Sequence, residues 1–231
     1  APTMRPFTAA LADQTVLLTG ATGGIGRYLA FMFAGLCTDL VIWGHDSRRT
    51  DALAQDILSD LNITAACAPR RPRLRWQSVD LANTSDVQAG FATLLSTRPS
   101  LDVLVNNAAA TDPDVAMTEQ RYSTIVEHSA SMAVNVRGAL ECMSLALQFW
   151  KRTVRNRSRT GVVVNVASID GVRGWGPSLY EMSKWTMIGM SKHAAVHYAN
   201  YARINVLVPG FVDTALSHHS NFTEKRYEEA I

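Results

Sequence analysis

The stretch Thr15-Val16-Leu17-Leu18-Thr19-Gly20-Ala21-Thr22-Gly23-Gly24-Ile25-Gly26 runs a short apolar strand straight into a glycine-rich turn. The residues that follow, to about Leu36, have helical periodicity, so the glycines sit at a strand-to-helix joint. Gly20 permits a tight turn there, Gly24 lets backbone N–H groups approach a pyrophosphate, and Gly26 allows the helix to pack closely on the strand. The amino end of the helix adds partial positive charge toward phosphate. Any tight turn uses glycine, so the cluster alone is weak. The strand before it and the helix after it favour phosphate binding.

Working outward, short β-branched apolar runs alternate with longer segments of helical period. Strands are expected at 15–19, 39–43, 74–79, 101–105, 161–167 and 204–208, and helices at 24–36, 48–61, 85–97, 117–151 and 178–201, the fourth broken near its start. Several strands are apolar on consecutive residues, so they are buried on both faces and helices must cover both sides of the sheet. The result is an α/β fold, a doubly wound parallel sheet in three α/β/α layers. Its ligand crevice lies at the carboxyl ends of the strands, where the winding reverses. Segment 62–73, with Pro69, Pro72 and three arginines, reads as a surface loop. The chain stops at Ile231 in helical-looking sequence, so a further closing strand is expected to be missing.

At 231 residues and 47% hydrophobic, the chain suits one domain with one sizeable core. A net charge of +2, with no extended basic face, argues against nucleic acid as a partner. Cys37, Cys67 and Cys142 match neither a metal-ligand pattern nor a disulfide framework, which points to a reducing compartment and a cytoplasmic protein. Neither a secretory leader nor a membrane span is expected, and no metal.

Further motifs follow the glycine loop in order. They are Asp80 in Val79-Asp80-Leu81, Asn106-Asn107-Ala108-Ala109 closing a strand, Asn135 in a helix, Ser168, Tyr180-Glu181-Met182-Ser183-Lys184, and Pro209-Gly210-Phe211-Val212-Asp213-Thr214. With T-G-x-x-x-G-x-G at its head, this series resembles the short-chain dehydrogenase/reductase family, in its compact single-domain branch, from about Val16 to Thr214. The resemblance implies a Rossmann-like fold and an NAD(P)-dependent oxidoreductase acting on CH-OH groups. It also implies that Gly20, Thr22, Gly24, Ile25 and Gly26 hold the cofactor phosphates. By the same resemblance Asp80 and Leu81 meet the adenine, Asn106 braces the sheet, Asn107 and Ala108 lie along the cofactor, and Pro209, Gly210, Val212 and Thr214 hold the nicotinamide carboxamide. Ordinary turn chemistry would account for the asparagine pair or the Pro-Gly pair taken singly.

Tyr180 and Lys184 are four apart on a helix and project from one face. A tyrosine titrates near pH 10, too high for an efficient base at neutral pH, and a nearby ammonium favours the phenolate. Such a pair arises by chance on many helices. Ser168 decides, since it ends a strand at the crevice edge 12 residues before Tyr180, where its hydroxyl can stabilise charge on a substrate carbonyl oxygen. The resemblance makes Asn135 the fourth catalytic member, its backbone anchoring a water, and sets Lys184 on the nicotinamide ribose. A helix-interior asparagine bonding its own backbone is the plainer reading. No G-x-S-x-G elbow surrounds Ser168, and no glutamate lies between His193 and His197 as a metalloprotease would need.

After the second strand, Gly44 holds the position where an acid would accept a free 2′-hydroxyl, and His45, Arg48 and Arg49 follow. NADP(H) is therefore favoured over NAD(H), with Asp46 and the non-basic Gly23 weighing the other way. By family position Trp175, Phe211 and Leu216 join Ser168 and Tyr180 at the substrate, expected to be a ketone or secondary alcohol with an apolar body. A ketoacyl-carrier-protein reductase-like enzyme and a non-catalytic NAD(P)-binding protein are the alternatives. The family's paired outer helices imply a homodimer or homotetramer.

Overall fold

Runs such as Val16-Leu17-Leu18 and Leu40-Val41-Ile42 have no polar face to turn to water, and both lie inside a sheet covered on each side. The computed structural model describes residues 11–12, 14–36, 38–67, 73–97, 99–113, 117–118, 122–153, 160–174 and 178–219. Its strands are β1 Thr15–Thr19, β2 Asp39–Gly44, β3 Arg73–Ser78, β4 Val103–Asn106, β5 Gly161–Val166 and β6 Ala202–Leu207. They form one parallel sheet in the order β3-β2-β1-β4-β5-β6. The winding reverses between β1 and β4, so a crevice opens beyond the carboxyl ends of these two strands.

The helices are α1 Gly24–Gly35, α2 Ser47–Ser59, α3 Leu61–Ala66, α4 Thr84–Thr97, α5 Tyr122–Glu127, a π-helix Ser131–Gly138, α6 Ala139–Thr153, α7 Asp170–Arg173, α8 Ser178–His197 and α9 Ala215–His219. Successive strand residues point to opposite faces, which divides the core into two layers. Leu17, Val41, Trp43 and Leu104 pack with Phe91 and Trp150 on one side, while Val16, Leu18, Leu40 and Ile42 pack with Phe33, Leu53 and Ile57 on the other. Each large side chain buried this way contributes roughly 1.5–3 kcal/mol.

The structure departs from the sequence reading in segment 62–73, in two strand boundaries and at Cys67. Part of the expected loop 62–73 is helix α3, because Asp60 caps it, its Oδ1 accepting the N–H groups of Asn62 at 2.8 Å and Ile63 at 3.2 Å. Ile63 then reaches the α1-side core. The helix expected at 117–151 is broken near its start, as its sequence implied, and the break is held by Asp112, which accepts the Ser129 hydroxyl at 2.7 Å and the N–H groups of Ala130 at 2.8 Å and Ser131 at 3.0 Å. Burial works to raise the Asp112 pKa, but these bonds outweigh it and hold the carboxyl below its ordinary value. The strands expected at 101–105 and 204–208 are Val103–Asn106 and Ala202–Leu207, which pair with β5 in one register.

Cys67 is disulfide-bonded, against the expectation that no bridge would form. Packing of α3 sets its sulfur 3.5 Å from the Ala34 carbonyl oxygen at the end of α1, a proximity invisible in cysteine spacing. Cys142 is a buried free thiol whose ionisation burial strongly disfavours. Among the described residues no helix is long and apolar enough to cross a membrane.

Candidate active site

The glycine turn is fixed from both neighbouring strands. Gly20 takes a left-handed φ of 63°, and a Cβ there would collide with the Ala108 backbone. The Thr19 hydroxyl oxygen accepts the N–H groups of Asn107 at 3.1 Å and Ala108 at 3.2 Å, and Asn107 Nδ2 donates to the carbonyls of Thr19 and Gly20, both at 3.1 Å. From the β2 side, the Trp43 carbonyl accepts the Ala21 N–H at 3.0 Å. A Cβ at Gly26 would strike the Gly20 carbonyl, and one at Gly24 would meet the Thr214 side chain at 2.5 Å.

Beyond this turn lies a crevice of about 540 Å³. Gly20, Thr22, Gly24, Ile25 and Gly26 form one wall, Asp80, Leu81, Asn107 and Ala108 another, and Tyr180, Lys184 and Thr214 close the far end. The backbone cradle at residues 20, 24 and 26, which a side chain would fill, fits a dinucleotide pyrophosphate at the amino end of α1.

At the near end, Arg49 spans the mouth of the crevice, its Nη2 donating to the Thr22 carbonyl at 2.8 Å. His45 also lines this end, with its Nδ1 3.7 Å from Asp80 Oδ1. Arg48, expected beside them, is exposed and outside the lining, one position round the first turn of α2. The Asp46 carboxylate is engaged in capping α2, accepting the Arg49 N–H at 3.0 Å. Space at Gly44 is closed by Thr50 and Thr22, so no larger residue fits there.

At the far end, β5 delivers Ser168 and α8 delivers Tyr180 and Lys184. Lys184 is 1% exposed and donates from Nζ to the Val166 carbonyl at 2.9 Å, with its ammonium 5.4 Å from the centre of the Tyr180 ring. Burial pushes the Lys184 pKa down to about 8, against the pull of Asp170. Burial pushes Tyr180 up to about 12, with the Ser168 hydroxyl favouring the phenolate and Asp170 opposing it. In this geometry Tyr180 is a protonated acid at neutral pH rather than the phenolate that its lysine neighbour suggested.

Asn135 is fully buried and does not bond its own helix backbone. Its Oδ1 accepts the Ala110 N–H at 2.8 Å, and its Nδ2 donates to the Ala110 carbonyl and the Ser183 hydroxyl, both at 2.9 Å. It thereby clamps the 107–111 segment to α8. Deeper still, Asn106 Nδ2 donates to Asn165 Oδ1 at 2.9 Å, tying β4 to β5.

A smaller cavity of about 110 Å³ adjoins the crevice and shares with it Ile25, Ala167, Tyr180, Thr214 and Leu216. Ser168, Phe211 and the segment of Pro209, Gly210 and Val212 complete it. Trp175 lies outside the described residues. The sequence reading missed Trp43 and Val79 in the crevice wall, whose apolar character marks them only as core. Asp170, an acid two residues after Ser168, lies in the segment 169–179 that family position sets along the pocket, though nothing in the sequence singled it out, and it lines the cavity.

A family model for the short chain dehydrogenase matches residues 14–225. The chain is 27% identical over 215 residues to a 3-oxoacyl-(acyl-carrier-protein) reductase of Chlamydia trachomatis, covering 91% of this chain and 79% of that protein. It is also 27% identical over 215 residues to 3beta-hydroxysteroid dehydrogenase 2 of Eggerthella lenta, covering 88% and 73%. A solved 3-ketoacyl-(acyl-carrier-protein) reductase of Brucella melitensis, complexed with NADH, has the same fold at a TM-score of 0.78 and 24% identity, over 94% of this chain and 83% of that one. The chain belongs to the short chain dehydrogenase family and is an NAD(P)-dependent oxidoreductase.

Proposed function

We propose that the chain reduces the carbonyl of a ketone with an apolar body, or oxidises the matching secondary alcohol, using NADP(H) in preference to NAD(H). One observation carries this reading: Tyr180 stands in the wall common to the crevice and the small cavity, with Ser168 beside it in the cavity. A molecule held in each space would meet at the Tyr180 hydroxyl.

The reduced nicotinamide supplies a hydride to the carbonyl carbon. As the C=O electron pair moves onto oxygen, Tyr180 gives that oxygen its hydroxyl proton and Ser168 donates a hydrogen bond to it. Lys184, protonated below about pH 8, stands behind Tyr180 to return the proton and to hold the nicotinamide ribose. Asn135 keeps the 107–111 wall and α8 in register. Phe211, Leu216 and Ile169 exclude water from the cavity.

The NADP(H) preference rests on Arg49 and His45 at the adenosine end, on the closed space at Gly44, and on Asp46 being occupied as a helix cap. The similarity to 3-oxoacyl-(acyl-carrier-protein) reductases favours a 3-oxoacyl thioester as a second substrate to test. A homodimer is proposed through the outer face of α8, where Trp185 is 50% and Val196 75% exposed. A panel of ketones, secondary alcohols and 3-oxoacyl thioesters, assayed with each cofactor, tests the activity. Calorimetry tests the preference: Arg49→Ala should weaken NADPH about tenfold, the size of one lost charge-assisted bond, and leave NADH unchanged. Equal affinity of the unsubstituted protein for the two cofactors would end the NADP assignment.

A further inference from the structure

Asp170 has no part in the mechanism above, yet it lies inside the catalytic end. It is 8% exposed and lines the small cavity, and its Oδ1 is buried with no hydrogen-bond partner among the described residues. Its Oδ2 lies 3.3 Å from Ser168 Oγ, and its backbone N–H donates to that same Oγ at 3.2 Å.

A serine hydroxyl has one hydrogen and two lone pairs. The Asp170 N–H occupies one lone pair of Ser168. An ionised carboxyl can only accept, so it would draw the serine hydrogen to itself and away from the cavity. A neutral carboxyl can donate to the second lone pair instead, which leaves the serine hydrogen for a carbonyl oxygen. We propose that Asp170 is a positioning residue that acts through Ser168: as the neutral acid it turns the serine hydrogen toward the substrate, and as the carboxylate it withdraws it. The proposal rests on the carbonyl-reduction reading.

The surroundings favour the neutral form. Burial raises the Asp170 pKa, opposed by its bond to Ser168 and by the Lys184 ammonium. Among the described residues, α8 presents Tyr180, Glu181 and Lys184 toward α7, with the Glu181 carboxylate near Gly174. Helix α7 itself carries Arg173. The segment whose Pro209 carbonyl accepts the Ile169 N–H at 2.8 Å carries Asp213. Of these charged groups, the Lys184 ammonium is the one that lowers Asp170, and Asp170 in turn raises both Tyr180 and Lys184.

Two measurements test this. In infrared difference spectra between the protein and Asp170→Asn, the stretch of a protonated carboxyl should persist well above the ordinary aspartate range near pH 4 and should shift in Ser168→Ala. A carboxylate already ionised in that ordinary range, or a band insensitive to Ser168→Ala, would overturn the proposal without any substrate. In NADPH-dependent reduction of ethyl 3-oxobutanoate, kcat/KM should fall with rising pH as Asp170 ionises. Asp170→Asn, a permanent donor, should abolish that fall. Asp170→Ala should lower kcat by about 2- to 10-fold where Asp170 is neutral, the value of one neutral hydrogen bond, and the deficit should vanish above the pH at which Asp170 ionises. In a Ser168→Ala background neither change should cost anything further. Penalties that multiply there, or a pH limb below the Lys184 pKa of about 8 that survives in Asp170→Asn, would show that Asp170 does not act through the serine. A protein that reduces none of the carbonyl panel would fail the functional reading, and the infrared result would still decide this one.

Discussion

The two ends of the crevice are built by opposite means. The phosphate end is made of missing side chains: Gly20, Gly24 and Gly26 leave backbone to face the ligand, and a Cβ at any of them meets neighbouring atoms. The far end, where catalysis is proposed, is made of buried polar side chains, Lys184, Asn135, Ser168 and Asp170, each at most 9% exposed. The first end works by shape and should be indifferent to pH. At the second end, burial displaces ionisation and every group alters its neighbours, so its properties should vary with pH and with single-atom changes.

The largest expected effect separates chemistry from shape. Tyr180→Phe keeps the ring and its packing while deleting the proton, so turnover should fall by about 10²–10⁴-fold and NADPH affinity measured by calorimetry should survive. Near-normal turnover of a folded variant would refute the proton-donor role. Next is the steric end: Gly26→Ala pushes a methyl against the Gly20 carbonyl, and overpacking of this kind costs about 1–3 kcal/mol. Its melting temperature and cofactor affinity should drop together at every pH. Gly35→Ala is the control, on the same helix α1 but with nothing within 4 Å of the added carbon, and its melting temperature should barely move.

The smallest effect belongs to the electrostatic end. Lys184 has its pKa lowered from 10.5 to about 8, so between these values the folded chain binds fewer protons than the unfolded chain. Stability should therefore rise with pH across that window. Cys142, raised from 9.0, and Tyr180, raised from 10.0 to about 12, work in the opposite sense above pH 9 and pH 10, so the rise should be clearest between about 8 and 9. Melting temperatures measured through that range in the protein and in Lys184→Met should show the increase only in the former. An identical profile in both would mean that the lysine is not held against its charge.

This contrast also explains what could be read before the fold was known. Steric devices leave a mark in sequence, because glycine at residues 20, 24 and 26 is chosen for what it lacks, and β1 is found where its apolar run places it. Tyr180 and Lys184 were legible by helical spacing, and Ser168 by its place after a strand. Asp170 was not, because a carboxyl two residues past a serine looks like turn chemistry until burial and an unpartnered oxygen mark it out. The clasp of Asp112 and the bridge at Cys67 depend on contacts between distant segments, which no local pattern encodes, whereas the Asp60 cap of α3 is a local signal outweighed by the prolines and arginines that follow it. Arg48 and Arg49 are indistinguishable in sequence, and only the phase of α2 sends one to the crevice and the other to solvent.

The closed space at Gly44 bears on how this chain could change over time. A side chain there would run into the Thr50 hydroxyl, which itself donates to the Asp46 carbonyl at 2.7 Å and so supports the cap of α2. An acid that would welcome an unphosphorylated ribose cannot be installed at residue 44 by one mutation. It becomes acceptable only after Thr50 has been trimmed, a step that by itself weakens α2 and gains nothing. Under the proposed NADP(H) preference, the route to the other cofactor thus passes through an unfavourable intermediate, and lineages carrying Gly44 with Thr50 should keep or lose the two residues together.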